Sequence, residues 1–388
     1  MPTDGSPAPD STPIGPHGEP LRPVDAAALA DAPFPYLRWA KAHLSWEGMQ
    51  DGTFCLGMSG LEPVTAADRA ALGLPPPPEV GAAIAGLKGA LAARYGLTPE
   101  HVHLAAGTSH ANFIAYLALA RGGTVAVETP AYEALHRLTD AVVAKQRTFR
   151  RDPARGWRLD LESLKAAVDD TTDLIVLTDL HNPSGMRLED DDLDAVLDLA
   201  STHDALVLVD EVYADFDPRE RPTAVLRDER IVATNSLTKA HGLPDLRAGW
   251  ILGAPEVIAR IDSWDDLVHP GLPPDPMVAA ATFVPQARER LAAARDLAAA
   301  RAAQVDAWVD ATPRLTWSKP HGGLTGFLEL DGLDGDLVAK DAWAEEGIRI
   351  VPGSFFQCPQ ALRISFLLPE EDLARALEGL ARAMERCA

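Results

Sequence analysis

The chain is short of cysteine, of lysine and of long apolar runs, and each shortage excludes something. Its three cysteines, Cys55, Cys358 and Cys387, stand far apart with no CxxC pair. Neither a disulfide framework nor a zinc site is indicated, no metal is expected, and a reducing cytoplasm is the expected setting. No stretch approaches the roughly 18 apolar residues of a spanning helix, and the first residues carry neither a basic leader nor an apolar core, so no membrane span and no signal peptide are expected. Positive charge is scarce: 35 Lys and Arg face 57 Asp and Glu, a net of −22. Such a chain repels a phosphate backbone or an anionic bilayer, and nucleic acid is not an expected partner. Only 7 of the basic residues are lysines, so each lysine is worth inspecting.

What is present suffices for large cores, since 47% of 388 residues are apolar. The first 22 residues hold six prolines and three glycines with little to bury, which predicts a loosely attached arm over 1–22. Over 23–58 a helical pattern broken at Pro33 and Pro35 places Tyr36, Trp39, Ala40 and His43 at spacings of three and four. This segment is expected to join a small C-terminal domain, with Trp39, Lys41 and Trp46 as candidates for packing or for a side-chain pocket. The prolines Pro75 to Pro78 forbid helix until Glu79, after which Val80, Ile84, Leu87 and Leu91 form an apolar stripe.

From Val102 to Trp250 short apolar runs alternate with amphipathic stretches. The expected strands are Val102–Ala105, Thr124–Glu128, Gln146–Phe149, Asp173–Thr178, Ala205–Asp210, Ile231–Asn235 and Ala248–Leu252, and the clearest helix is Leu188–Ser201. Continuous runs such as LIVLT and ALVLVD suit strands buried on both faces. The expected fold class is therefore α/β, a mostly parallel doubly wound sheet. After Pro276 an Ala/Arg-rich helical stretch from Val278 to Val309 precedes short strands at Leu324–Leu330, Ile348–Val351 and Leu362–Phe366 and a final amphipathic helix. A large domain over 59–290 and a smaller α+β domain over 291–388 are expected.

Ligands of open parallel sheets lie beyond the carboxyl ends of the strands. The expected strands end in Asn182-Pro183-Ser184-Gly185, in Asp210-Glu211-Val212-Tyr213 and in Ser236-Leu237-Thr238-Lys239, with Arg247 eight residues on. Singly these are ordinary: a turn, a capped strand end, a surface lysine. At intervals of about 28 residues, an amide, a carboxylate, a phenol and a lysine would converge on one crevice.

The strings NPSG, DEVY and SLTKAHGLPDLRAGW, in this order and spacing, resemble the signature of fold-type I pyridoxal phosphate enzymes of the class I/II aminotransferase family, over about Leu104 to Phe366. The resemblance implies a cofactor, pyridoxal 5′-phosphate, held by Lys239 as a Schiff base, with the freed lysine amine as general acid and base. It implies that Asp210 holds the protonated ring nitrogen, and that Asn182 and Tyr213 serve the phenolic oxygen. Ser236, Arg247 and the Gly107-Thr108-Ser109 turn would take the phosphate, the turn opening a helix near His110. Tyr132, in ETPAY, would stack on the ring. Arg363, in ALRISF, would clamp the substrate carboxylate beside Asn182, with Gly60 lining the same pocket.

The implied reaction moves an amino group between an L-amino acid and a 2-oxo acid, with glutamate and 2-oxoglutarate the default pair, in amino acid metabolism or biosynthesis. An implied homodimer places the site at a two-fold interface. The stretch GLPPPPEVG departs from the Tyr-x-x-x-Gly pattern whose tyrosine reaches the neighbouring subunit's phosphate in relatives. A lyase, cyclase or oxidase on the same residue set is the alternative.

Overall fold

The computed structural model describes residues 33–35, 37, 64–76, 79–219, 223–269 and 271–388. The arm, the aromatic segment with Trp39, Lys41 and Trp46, Gly60, Pro77 and Pro78 lie outside the described residues. By internal contacts the chain divides into two units, Met1–Pro77 with Ser263–Gly271, and Pro78–Asp262 with Leu272–Ala388. In the first, α1 (Ala66–Ala71) begins at Thr65, whose hydroxyl accepts from the Asp68 N–H.

The second unit holds two sheets. The larger contains β1 (Val102–Ala105), β2 (Thr124–Thr129), β3 (Lys145–Asp152), β4 (Arg158–Leu159), β5 (Thr172–Thr178), β6 (Leu206–Asp210), β7 (Ile231–Ser236) and β8 (Gly249–Leu252), in the order β1-β8-β7-β6-β5-β2-β3-β4. β3, β2, β5, β6 and β7 pair in parallel, whereas β8 runs antiparallel between β7 and β1. Val207, Leu208 and Val209 in β6 and Ile175, Val176 and Leu177 in β5 are fully buried, as strands covered on both faces must be.

Helices α2 (Val80–Tyr95), α3 (Thr108–Ala120), α4 (Glu133–Val142), α5 (Leu161–Ala167) and α6 (Asp190–Thr202) supply the cover, followed after β8 by α7 (Pro255–Val268), whose residues divide between the two units, and by α8 (Pro274–Phe283). Leu87 and Leu91 of α2 enter the large core, Ile84 packs against it, and Val80 at the helix start stays exposed. Each buried leucine of this kind contributes about 1.5–3 kcal/mol.

Beyond α8 the long α9 (Ala287–Ala311) leads to the second sheet, β9 (Leu315–Trp317), β10 (Thr325–Leu330), β11 (Val351–Pro352) and β12 (Ala361–Ser365), all antiparallel in the order β11-β12-β10-β9. Val305 and Val309 of α9, Val338 of α10 (Gly335–Glu346) and Leu373, Leu377 and Leu380 of α11 (Glu370–Arg386) pack on it as a second core. The strand expected at Ile348–Val351 is shorter and later, pairing only Val351 and Pro352 with β12, while β9 went unread. No helix among the described residues is long and apolar enough to cross a membrane.

Candidate active site

The carboxyl ends of β5, β6 and β7 lie side by side, with Thr178 opposite Asp210 and Asp210 opposite Thr234. A buried pair holds that rim: Arg151 Nε donates to Glu128 Oε2 at 2.6 Å, and Glu128 Oε1 accepts from the Thr178 N–H at 2.6 Å. Beyond the rim lies a cavity of about 310 Å³.

Asp210 ends β6 buried beneath this cavity. Its Oδ2 accepts from Asn112 Nδ2 at 2.8 Å and its Oδ1 from the Val212 N–H at 3.0 Å, while Asn112 Oδ1 accepts from the Thr234 hydroxyl at 2.6 Å. Burial pushes the Asp210 carboxyl up to about 6, against the two donors that favour the anion. An approaching cation would restore the charge.

Lys239 follows β7, and its ammonium sits 5.9 Å from the centre of the Tyr213 ring. Burial, and then the neighbouring Arg363 charge, lower the Lys239 amine below its ordinary value, with Asp210 pulling the other way. Arg363 comes from the second sheet, on β12 opposite Phe327. Its guanidinium lies 5.1 Å from the Phe356 ring centre, and Nη1 donates to Asn182 Oδ1 at 3.2 Å.

The opposite wall is the turn into α3. Gly107 caps that helix at φ 86°, and a Cβ there would stand 2.4 Å from Arg247 Nη2. Only glycine lets the arginine lie this close. Arg247, at φ 47°, donates Nη2 to the Ala106 carbonyl at 3.2 Å and Nη1 to the Pro244 carbonyl at 3.3 Å. The Thr108 hydroxyl is buried with no hydrogen-bond partner among the described residues. Ser109 and Ser236 line the same space, and the Ser236 Oγ accepts from the Thr238 N–H at 3.3 Å. Tyr132, at the start of α4, also lines the cavity and is 43% exposed.

The structure thus brings the expected site residues of the second unit around one cavity, Gly107 through its contact with Arg247. Gly60 lies outside the described residues. Sequence reasoning missed Asn112, Thr178 and Thr234. The available signal for Asn112 was its place one helical turn after Thr108, facing the same way.

Residues 78–380 match the profile of the family described as aminotransferase class I and II. The chain belongs to that family. It is similar to capreomycidine synthase of Streptomyces vinaceus, 30% identical over 306 residues that cover 77% of this chain and 78% of that protein. It is also similar to the aspartate/prephenate aminotransferase of Thermus thermophilus, 27% identical over 309 residues, covering 75% and 77%. In fold it resembles a PLP-dependent aminotransferase from Streptococcus suis, with a TM-score of 0.74 over 78% of this chain and 82% of that one at 24% identity.

This family of fold-type I enzymes depends on pyridoxal phosphate. The residues of this aminotransferase-family enzyme fit that group: an unpartnered buried hydroxyl and a side-chain-free glycine beside an arginine suit a phosphate, a buried carboxylate suits a cationic ring nitrogen, and a half-buried lysine suits an aldehyde.

Proposed function

We propose that the enzyme transfers an amino group between an L-amino acid and a 2-oxo acid, with Lys239 as the lysine that holds the cofactor. When bound, pyridoxal phosphate supplies the aldehyde that joins the amine and the ring that draws electrons from the substrate's Cα. Thr108, Ser109, Ser236 and Arg247 would hold its phosphate, Asp210 its ring nitrogen, Asn182 and Tyr213 its phenolic oxygen, and Tyr132 its ring face. Arg363 grips the substrate α-carboxylate, already oriented by Asn182. The Lys239 amine, lowered by burial and by Arg363, accepts the proton from the substrate Cα.

The observation that carries the reading is the convergence of Lys239, Asp210 and Arg363 on one cavity from two different sheets. The test has two parts. Borohydride reduction of the loaded enzyme followed by peptide mapping should place the cofactor on Lys239, and Lys239→Ala should give no adduct. Steady-state turnover should require a 2-oxo acid acceptor. A second reading, a one-substrate lyase, cyclase or oxidase reaction, is favoured by the similarity to a protein named a synthase. Turnover with release of ammonia or a leaving group and no acceptor would establish it.

We also propose a cytoplasmic homodimer and the division into a large domain over 59–290 and a small one over 291–388. Family resemblance and two-fold symmetry as the usual form of soluble oligomers support the pair.

A further inference from the structure

Two residues beyond Tyr213 and two beyond Lys239 lie Asp215 and His241, which the mechanism does not use. His241 is fully buried, its ring Nε2 lies 3.0 Å from Asp215 Oδ2, and the other Asp215 oxygen accepts from Arg94 Nη2 of α2 at 2.5 Å. Asp215 itself sits in the short turn Ala214–Phe216 that follows Tyr213, and His241 in the turn that carries Lys239. One carboxylate therefore joins the turns that present the phenol and the amine.

A second helix, α9, bonds to both turns. Arg295 Nε of α9 donates to the Asp215 carbonyl at 2.9 Å, and Arg290 Nε donates to the His241 carbonyl at 2.8 Å. The backbone closes the base of the lysine turn, where the Leu243 N–H donates to the Leu237 carbonyl at 3.0 Å. At Lys239 itself the backbone bond across the turn is the longer one from the Gly242 N–H to the Lys239 carbonyl at 3.3 Å, so side chains add to what holds the residues after Lys239. The His241 ring also meets Phe283 edge-on at 5.6 Å between centres, a contact that favours its present orientation. Burial pushes the Asp215 carboxyl up, but the His241 and Arg94 donors overcome it and hold the group below its ordinary value as an anion.

We infer that His241 is a positioning residue for this enzyme: by donating to Asp215 it fixes the Lys239 turn against the Tyr213 turn and so sets where the amine stands relative to the phenol. This rests on the reading of Lys239 as the cofactor lysine. A buried hydrogen bond of this kind adds rigidity where the reacting amine must be held within a fraction of an ångström.

The experiment compares His241→Phe, which keeps a ring against Phe283 and leaves the Arg94–Asp215 pair intact, with His241→Gln, which returns an N–H donor. Wild-type peptide mapping after borohydride reduction comes first, and an adduct on another lysine would remove both the functional reading and this inference. With the adduct on Lys239, the phenylalanine variant should lose about tenfold or more in kcat while KM changes by no more than about twofold. Its visible absorption band from the lysine-bound cofactor should shift, and Lys239 should be trapped by borohydride at an altered rate, with the thermal midpoint near wild type. The glutamine variant should recover most of each. Wild-type band and kcat in His241→Phe would overturn the inference, as would activity lost only in proportion to unfolded protein or a glutamine variant no better than phenylalanine. Should the phenylalanine variant not fold, His241→Leu is read in the same way.

Discussion

Arg363 and Asp210 are proposed to act through their charges, so their substitution separates contact from fold. Arg363→Ala removes the guanidinium that bonds to Asn182. Breaking one partner of a buried pair costs about 3–5 kcal/mol, so kcat/KM for an amino acid should fall roughly a hundredfold or more. Lysine should rescue poorly, having no planar fork. An amine without a carboxylate is the control, and equal slowing of both would assign Arg363 to the fold. Asp210→Asn keeps the shape but loses the charge that Asn112 and Val212 favour. Turnover should drop by orders of magnitude while cofactor still binds through its phosphate, and near-normal kcat would remove the role. Asp210 was legible because it ends a buried run, and strand ends are where open sheets keep their chemistry, whereas Arg363, in the middle of β12, was legible only through the resemblance carried by ALRISF. Asn112 was not, since its importance comes from a partner 98 residues away that no local pattern reveals.

Most strands were legible because short uninterrupted apolar runs suit strands buried on both faces. Pairing was not: that β8 turns antiparallel between β7 and β1 depends on contacts among segments more than a hundred residues apart, such as Val102 opposite Leu252. β9 escaped notice because three residues carry too little alternation to read. β8 also bears on the cavity. Gly249 pairs with Ser236, and a Cβ there would stand 2.7 Å from the Gly107 Cα. Gly249→Ala should push the turn into α3 away from Arg247. Affinity for cofactor, measured by fluorescence titration of the cofactor-free protein, should fall about tenfold or more, with substrate carboxylate recognition less affected. Unchanged affinity would show that the turn moves without cost.

For the whole molecule, buried carboxyls set a pH dependence in the cofactor-free protein. Burial pushes Asp210 from an ordinary 3.8 up to about 6 and Glu211 from 4.5 up to about 8. Both bind their protons more tightly folded than unfolded and so make stability fall as pH rises, whereas His136, His181 and His321, held by burial below their ordinary 6.5, act the other way until about that pH. The decline should therefore emerge above about pH 6.5 and run to about 8 through Glu211. Glu211→Gln, whose amide can still meet the Ala224 N–H and the Thr223 hydroxyl, should flatten the decline of thermal midpoint between about pH 6.5 and 8. An unchanged slope would assign the decline elsewhere. Sedimentation at micromolar concentration should find a dimer, and a stable, active monomer would overturn the proposed assembly.

The single rod of α9 touches the carbonyls of Asp215 and His241 near one end, while Val305 and Val309 anchor its other end in the core beneath β12. One helix thus bonds to the turn that follows Lys239 at one end and packs under the sheet that carries Arg363 at the other, a continuous path between the proposed substrate grip and the proposed reacting amine. Truncated substrates that offer nothing to Arg363 should therefore be slow even when saturating.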